Sequence, residues 1–291
     1  MQKVIFTKIL KYSIFACMKP NISIIVSTYN SPEWLEKVIW GFSVQTYKDF
    51  ELVIADDGSN NKTLELIKRM QPEVFFPIKH VWHEDNGFQK TIILNKAILE
   101  TSADYIIMTD GDCIPRKDFV EIHFKMRDKN VFLSGGYHKL PMETSQLINK
   151  DDIISGACFD VSWLIRNGMS KSFKNNKLTS YGFKSKFLNF LTPTTPSWNG
   201  HNSSAWKKDI LAVNGFDERM EYGGEDRELG ERLVNNGIKG KQIRYSTTCL
   251  HLDHARGYVN ENALALNKNI RSLTKQNKST WTVFGIKKGT S

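Results

Sequence analysis

Short apolar runs rich in β-branched residues alternate with stretches of helical periodicity through the first half of the chain. The first run, Ile22–Thr28, has the sequence ISIIVST and is typical of a strand buried on both faces of a parallel sheet. Ser31, Pro32 and Glu33 follow as an N-cap residue, a proline at the first helical position and an early acid, which together predict a helix start. Further strands are predicted at 51–57, 80–85 and 104–110, with helices at 62–70 and 89–99 between them. This alternation predicts an α/β fold with a doubly wound, mostly parallel sheet.

Polar residues collect where the predicted strands end. Ligands of such sheets bind at the carboxyl ends of the strands, so a site is expected there. The residues concerned are Thr28, Tyr29, Asn30, Asp56, Asp57, Asp110, Gly111 and Asp112. Two carboxylates that flank a glycine at a strand end suit Mg²⁺ or Mn²⁺ held together with substrate phosphates. The DxD tripeptide alone occurs often by chance, and its position at the strand end is what favours a metal or nucleotide site.

The regular alternation fades after Gly136, and residues 138–200 have weak periodicity with many Ser, Asn and Pro residues. An irregular segment of that length is uncommon unless it is functional or partly disordered. Between 161 and 208 there are eight Lys and Arg residues, eight aromatic residues and no Asp or Glu. This composition is compatible with RNA, with a bilayer rich in anionic lipid, or with a solvated loop that buries a few aromatics. The net charge of +9 favours an anionic partner without naming it.

Both ends of the chain are basic. Residues 1–20 are apolar with Lys3, Lys8 and Lys11 interspersed, which suits a short amphipathic helix at a membrane surface. Met18 as the natural start is the alternative. In the second half, a helix that ends at Gly237, a strand at 241–247 and a basic helix at 261–281 are predicted.

Composition excludes several classes of protein. With 40% hydrophobic and 24% charged residues the chain is neither disordered nor collagen-like nor a coiled coil. Four cysteines without a CxxC pair argue against a zinc ribbon or a redox dithiol and favour reduced, cytosolic thiols. The sequence contains no run of 18 uncharged apolar residues, so no membrane span is predicted.

Two further groups of residues have the chemistry of a site. Glu225 and Asp226 follow two glycines at a predicted helix start, where acids either cap the helix or expose a general base. His251 and His254 lie three residues apart, and each is either a buried, hydrogen-bonded histidine or a metal ligand. Together with a DxD, the histidines favour Mn²⁺ over Mg²⁺.

The chain resembles the family 2 glycosyltransferases of GT-A fold. The motifs that carry the resemblance are VSTYN at 26–30, ADDGS at 55–59, DNGFQKTIILNKAI at 85–98 and TDGDC at 109–113. The later segment at 199–237 resembles the carboxyl-terminal region of β-1,4-galactosyltransferases and bacterial chondroitin-type polymerases, where NGF precedes WGGED. The resemblance covers about residues 21–256, and the order of its motifs is specific.

The resemblance implies a role for each matching residue. The expected nucleotide-binding residues are Thr28, Tyr29, Asn30, Asp56, Asp57, Lys90 and Asp110, without deciding which of the two adjacent acids contacts uracil. The expected metal ligands are Asp112 and His254, which with Cys249 and Arg256 fits a CxxxxHxR pattern, and then His251. Asp226 is the expected catalytic base and Glu225 the acid that orients the acceptor. The expected acceptor-binding residues are Tyr222, Gly223, Gly224 and Trp198, with Tyr222 replacing the tryptophan of the family motif.

The resemblance also organises the chain into segments. We expect a membrane-surface leader at 1–20, the nucleotide-binding half of a GT-A domain at 21–137 and a basic aromatic insertion or acceptor region at 138–200. A galactosyltransferase-like catalytic half is expected at 201–260 and a basic helix or tail at 261–291.

The expected activity is inverting transfer of a hexose or N-acetylhexosamine from a UDP-sugar to a saccharide or lipid-linked saccharide acceptor, with Mn²⁺, or alternatively Mg²⁺, as cofactor. The expected setting is peripheral, on the cytoplasmic face of a bacterial inner membrane, in lipopolysaccharide or capsule synthesis, with no nucleic acid partner. The alternatives are a nucleotide-binding but catalytically degenerate transferase, a basic nucleic-acid-binding module and a sugar nucleotidyltransferase. The last would need a glycine-rich phosphate loop after the first strand, which VSTYNSPEW lacks.

Overall fold

The computed structural model describes residues 19–255 and 260–288. A seven-stranded sheet has the strand order β3-β2-β1-β4-β8-β6-β9, and most of its neighbouring strands are parallel. Its strands are β1 (Ile22–Thr28), β2 (Phe50–Asp56), β3 (Ile78–Trp82), β4 (Tyr105–Asp110), β6 (Val131–Ser134), β8 (Ser203–Trp206) and β9 (Lys239–Gln242). Strand β8 is antiparallel to both β4 and β6. The predicted doubly wound, mostly parallel α/β sheet is therefore confirmed.

Helices cover both faces of the sheet, because the strands are apolar on both faces. Ile24 and Val26 of β1 belong to one hydrophobic cluster and Ile25 to a second, and none of the three is exposed. The helices of this half are α1 (Pro32–Ser43), α2 (Asn61–Met70), α3 (Lys90–Glu100) and α4 (Phe119–Met126). Helices α2 and α3 agree with the sequence prediction to within one residue, and α1 starts with its proline as expected.

A smaller three-stranded sheet extends the carboxyl edge of the large one. It has the order β5-β10-β7, with β5 at Cys113–Pro115, β7 at Gly136–Lys139 and β10 at Thr248–His251. Register pairs His251 with Cys113, next to the DxD sequence. The second sheet thus brings a histidine from the end of the chain to the acids at the end of β4.

Residues 138–200 are not the loosely structured segment that their weak periodicity indicates. They form five helices of four to nine residues, namely α5 (Met142–Leu147), α6 (Lys150–Ser155), α7 (Val161–Arg166), α8 (Asn176–Thr179) and α9 (Gly182–Phe190). Local caps start two of them, because Asn149 and Asp160 accept hydrogen bonds from the first turns of α6 and α7. Four of the five span fewer than two turns, which is too short to show a periodicity, and Ile153, Leu164 and Leu178 anchor α6, α7 and α8 in the core.

Three helices complete the fold: α10 (Lys207–Ala212), α11 (Glu225–Asn235) and α12 (Glu261–Gln276). The predicted strand at 241–247 lies instead at Lys239–Gln242, and the carboxyl-terminal helix ends five residues earlier than predicted. Residues 1–18, with most of the expected leader, lie outside the described residues, as do Arg256 and its neighbours to 259. Among the described helices, none combines the length and the apolar character that a bilayer crossing requires.

Candidate functional site

The carboxyl ends of β1, β2 and β4 lie side by side and form the floor of the site. Register places Ser27 opposite Asp110 and Thr28 opposite Asp56. Oγ of Ser27 donates to Oδ1 of Asp110 at 2.7 Å, and the backbone N–H of Gly111 donates to the carbonyl of Ser27 at 2.7 Å. A Cβ at position 111 would lie 2.9 Å from the carbonyl oxygen of Ser27, so a glycine is needed where the chain passes this close to β1.

Lys90, the first residue of α3, forms an ion pair with Asp110, with 2.8 Å between Nζ and Oδ1. Burial alone would lower the pKa of Lys90, but the charges of Asp110 and Asp226 raise that pKa well above its ordinary value. Burial would raise the pKa of Asp110, but the Lys90 charge and the Ser27 hydroxyl hold it well below its usual range. The pair is therefore a fixed cation and a fixed anion at neutral pH.

The adjacent carboxylates at the end of β2 are each held by a histidine. Oδ1 of Asp56 accepts a hydrogen bond from the backbone N–H of Ser59 at 2.9 Å, and its Oδ2 lies 2.8 Å from Nε2 of His80. Oδ1 of Asp57 lies 2.8 Å from Nε2 of His83. Burial raises the pKa of Asp57, and the histidine opposes that rise. Both carboxylates are thus fixed beside the loop that follows β1.

That loop presents an aromatic ring to solvent. Tyr29 is 48% exposed, and its hydroxyl donates to Oδ2 of Asp85 at 2.9 Å. Asn30 has a φ of 45°, and its backbone N–H donates to Oγ of Ser59 at 2.8 Å. Oγ1 of Thr28 is buried and has no hydrogen-bond partner in the described part of the chain. The arrangement offers a ring face on which a base can stack.

Two histidines converge on Asp112. Nε2 of His254 lies 3.0 Å from Oδ2 of Asp112, and Nε2 of His251 lies 3.8 Å from the same oxygen. The two imidazole rings stack with centroids 5.6 Å apart and an interplanar angle of 23°. Nδ1 of His251 is buried and makes no hydrogen bond to any described residue. The ligand atoms of Asp112, Cys113 and His251 all lie within 4.8 Å of one another, and together with His254 these residues form a donor set that fits a divalent metal ion.

Cys113 lies in the same cluster but has a different character. Its Sγ lies 3.3 Å from Oδ1 of Asp112, and the thiol is fully buried. Burial, together with neighbouring Cys249, raises the pKa of Cys113 well above its ordinary value.

His201 belongs to the site although sequence reasoning assigned it no role. The ring of Tyr137 packs edge-on against His201 and is tilted against His251, with centroid distances of 4.4 and 5.5 Å. Burial lowers the pKa of His201 to about 4, against the opposing charge of Asp110, so this imidazole is neutral at physiological pH. The available signal was its position in the galactosyltransferase-like segment, two residues before β8.

Asp226 lies in the first turn of α11, and only one of its two carboxylate oxygens accepts a hydrogen bond from a described residue. Its Oδ2 accepts a hydrogen bond from the backbone N–H of Gly200 at 2.8 Å, whereas its Oδ1 is buried with no partner among the described residues. Burial and then the charge of Glu225 raise the pKa of Asp226 to about 7, while Lys90 opposes that rise. A carboxylate with this pKa and one unused oxygen has the properties of a general base.

The glycine turn before α11 is fixed from both sides. Gly223 and Gly224 have φ values of 111° and 97°, and the N–H of Gly223 donates to Oε2 of Glu225 at 2.8 Å. A Cβ at position 223 would lie 2.3 Å from Cδ2 of Leu264 in α12. The ring of Tyr222 packs edge-on against Phe88, with centroids 6.2 Å apart. The turn therefore has a conformation that favours glycine, and Glu225 stabilises it.

Asn267 of α12 also holds this turn, and sequence reasoning did not identify it. Its Nδ2 donates to the carbonyls of Glu221, Tyr222 and Gly223 at 3.0, 3.3 and 3.1 Å. The residue is fully buried. The helix predicted only as a basic tail thus supports the segment expected to bind the acceptor.

Trp198 does not lie on the acceptor side, contrary to the sequence prediction. It is 0% exposed and packs against Phe132, with ring centroids 5.9 Å apart. It also lies against Gly230 of α11, where an added Cβ would be 2.8 Å from the tryptophan Cβ. Its role is to fill the core beneath α11, because a large aromatic side chain is the best filler of that space.

Two known families match successive parts of the chain. Residues 23–190 match the family described as "Glycosyl transferase family 2", and residues 192–255 match the family described as "N-terminal domain of galactosyltransferase". The chain belongs to glycosyl transferase family 2. The second match contains His201, Asp226, His251 and His254.

Individual relatives agree with this assignment. The chain is 26% identical over 268 residues to a chondroitin synthase of Escherichia coli, covering 89% of this chain and 38% of that protein. A mannosyltransferase from Pyrobaculum calidifontis, solved with GDP-Man and Mn²⁺, superposes with a TM-score of 0.55 at 18% identity over 83% of this chain and 59% of that one. Residues 1–349 of Staphylococcus aureus TarS, solved with UDP-GlcNAc, superpose with a TM-score of 0.57 at 15% identity over 89% and 69%. The fold of this family 2 chain is GT-A.

Proposed function

We propose that the protein is an inverting glycosyltransferase that moves a hexose or N-acetylhexosamine from a UDP-sugar to a saccharide acceptor. The observation that carries the proposal is the Asp226 carboxylate, with a pKa near 7 and one buried oxygen without a partner among the described residues. An acceptor hydroxyl is a poor nucleophile, and a base that removes its proton as it attacks makes the transfer feasible. A single displacement by that hydroxyl inverts the configuration of the anomeric carbon.

The donor half of the proposal rests on the floor of the site. The exposed ring of Tyr29 is suited to stack on uracil, with the fixed acids Asp56 and Asp57 beside it. The fixed charges of Lys90 and Asp110 would bind the phosphates and the ribose. UDP-GlcNAc bound to TarS supports a UDP-sugar, whereas the mannosyltransferase binds GDP-Man. UDP is therefore the first nucleotide to test.

Asp112, His254 and His251 would hold the divalent cation, with Mn²⁺ favoured over Mg²⁺ by the imidazole donors. Bound there, the metal supplies positive charge that stabilises the departing diphosphate. Tyr137 contacts both His201 and His251. Because the His201 imidazole is neutral, it adds no positive charge that would compete with the metal ion.

The acceptor half would use the glycine turn before α11. Tyr222 offers a ring for a sugar face, and Glu225 fixes the turn that presents it. The chondroitin synthase relative supports a saccharide acceptor. We propose that this acceptor is free or lipid-linked. We place the reaction at the cytoplasmic face of a bacterial inner membrane, in lipopolysaccharide or capsule synthesis, with the basic aromatic segment on an anionic membrane surface.

The test is release of UDP from a panel of UDP-sugars, measured with Mn²⁺, with Mg²⁺ and with EDTA. We expect slow, metal-dependent hydrolysis of one donor, and a loss of about 10²-fold or more in Asp226→Asn with unchanged UDP affinity. Asp151→Asn, at an exposed aspartate of α6, is the matched control. Binding of UDP without release from any donor would indicate a degenerate transferase. Failure to bind UDP, together with a salt-sensitive shift of random RNA, would instead favour the nucleic-acid-binding alternative.

A further inference from the structure

Helix α9 (Gly182–Phe190) is amphipathic, but it contacts the rest of the protein with its polar side rather than its apolar side. Ser185 is buried, and its hydroxyl donates to the carbonyl of Gly182. Oδ1 of Asn189 accepts a hydrogen bond from the backbone N–H of Tyr245 at 2.9 Å, and its Nδ2 donates to Oγ of Ser246 at 2.8 Å. Polar contacts therefore anchor the helix to the segment that leads into β10.

The opposite side of α9 is an exposed aromatic stripe. Phe183, Phe187 and Phe190 are 83%, 50% and 85% exposed and recur at intervals of four and three residues. The rings of Phe183 and Phe187 stack, with centroids 6.4 Å apart and an interplanar angle of 15°. Tyr181 and Leu191 extend the stripe at both ends and are also more than half exposed. Contiguous apolar surface of this kind marks a docking face.

We propose that this stripe, called here the α9 aromatic face (Tyr181, Phe183, Phe187, Phe190 and Leu191), docks on a lipid bilayer that contains anionic lipid. Lys184 and Lys186 lie on the same helix, and no acidic residue occurs between 161 and 208. Aromatic side chains insert at the boundary between headgroups and acyl chains, while lysines beside them attract anionic headgroups. The inference deepens the proposed function and rests on it for the acceptor, which a docked enzyme would meet as a lipid-linked saccharide.

A second copy of the chain is a poorer occupant of the α9 aromatic face. In a twofold dimer the same patch lies on both sides of the interface, so two patches that each carry Lys184 and Lys186 and no acidic residue of this segment would meet. Like charges placed face to face oppose such an association, whereas an anionic bilayer pairs with them. Helix α9 is also connected to the site, because Asn189, on the side opposite the aromatic stripe, holds the segment that continues into β10 and His251.

The experiment is flotation of the full chain with vesicles of phosphatidylglycerol and phosphatidylethanolamine, and separately with phosphatidylcholine alone. We expect binding to the anionic vesicles and a fall of more than about tenfold in affinity for the triple variant Phe183→Ser/Phe187→Ser/Phe190→Ser. A triple variant at half-exposed apolar positions elsewhere, Leu99→Ser/Val234→Ser/Val283→Ser, should bind like the wild type.

Charge is tested separately in Lys184→Ala/Lys186→Ala, where each lost lysine should weaken binding to anionic vesicles by about fivefold. Lys68→Ala/Lys208→Ala, at exposed lysines outside α9, is the matched control. Far-UV circular dichroism confirms that every variant is folded. UDP release without vesicles should be unchanged in the phenylalanine variant, so loss of docking is distinguished from loss of the reaction.

Several results would overturn the inference. It fails when the phenylalanine variant binds vesicles like the wild type, or when both triple variants lose binding equally. It also fails when neither protein binds vesicles and light scattering shows that the wild type is a dimer whereas the phenylalanine variant is a monomer. The α9 aromatic face would then be occupied by a second copy of the chain. Absence of UDP release from the wild type would overturn the proposed reaction but leave the vesicle result readable.

Discussion

The backbone N–H of Gly200 donates a 2.8 Å hydrogen bond to Oδ2 of Asp226, while Oδ1 of the same carboxylate is buried without a partner among the described residues. The two residues come from separate segments, one from the residues before β8 and the other from the first turn of α11. The single bond orients the carboxylate, and burial keeps its pKa high enough to accept a proton near neutral pH.

The rate of transfer should depend on pH through Asp226. A base acts only when it is deprotonated, and the pKa of Asp226 is raised to about 7, so kcat/KM should fall about tenfold for each pH unit below 7. Replacing Lys90 with Met should move this acid limb to higher pH, because the Lys90 charge lowers the pKa of Asp226. The check is the pH profile of UDP release for the wild type and the variant, and identical acid limbs would contradict the assignment.

The raised pKa of Asp226 also predicts that the folded protein loses stability as the pH rises and this carboxylate ionises. Folding raises the pKa of Asp226 from its ordinary value near 4, so the folded state binds this proton more tightly than the unfolded chain. The carboxylate therefore costs stability progressively as the pH rises from about 4 through about 7. Asp226→Asn should unfold at a higher temperature than the wild type at pH 8, and the difference should shrink toward pH 4. Thermal unfolding followed by circular dichroism at both pH values measures this, and a less stable variant at pH 8 would refute it.

Gly200→Ala tests the contact between the two residues directly. A Cβ at position 200 would lie 3.0 Å from Oδ2 of Asp226, so the carboxylate must shift by a few tenths of an ångström. We expect kcat to fall about 10-fold to 10²-fold, because general-base catalysis depends on orientation. The affinity for UDP should stay unchanged, since the carboxylate is assigned to the acceptor step. Titration of UDP and steady-state kinetics on one preparation separate the two effects, and an equal loss in both would place Gly200 in donor binding.

The residues at the carboxyl ends of β1, β2 and β4 were predictable from the sequence, whereas the contacts made by residues around them were not. Residues such as Ser27 and Asp110 meet because parallel strands align their carboxyl ends, a rule that the apolar runs alone make visible. The anchoring role of Asn267 depends on how α12 packs against the glycine turn, and no local pattern encodes that contact. Trp198 was misassigned for a related reason, since an aromatic residue in a basic segment has the same sequence signature whether it is exposed or buried.

Asn267→Ala should loosen the turn that Tyr222 and Gly223 form. The change leaves three carbonyls without their shared donor, so we expect a loss of about 1–3 kcal/mol in the free energy of unfolding. Transfer to an acceptor should fall more than donor hydrolysis, because the turn is assigned to the acceptor. Asn262→Ala, on the exposed side of the same helix, is the control and should match the wild type in both measurements. An equal fall in transfer and hydrolysis would instead show a general loss of folded protein.

His254→Ala should separate metal binding from the rest of the site. Disturbing a residue that only supports a metal ligand typically costs 10–100-fold in affinity, so loss of a ligand itself should raise the Mn²⁺ concentration for half-maximal activity by more than about 100-fold. His251→Ala should have a smaller effect, since its Nε2 lies 3.8 Å from Asp112 rather than 3.0 Å. His138→Ala, at a histidine on β7 outside the donor set, is the control. Binding of Mn²⁺ measured by calorimetry with UDP present provides a readout independent of activity, and unchanged affinity in His254→Ala would remove this residue from the metal site.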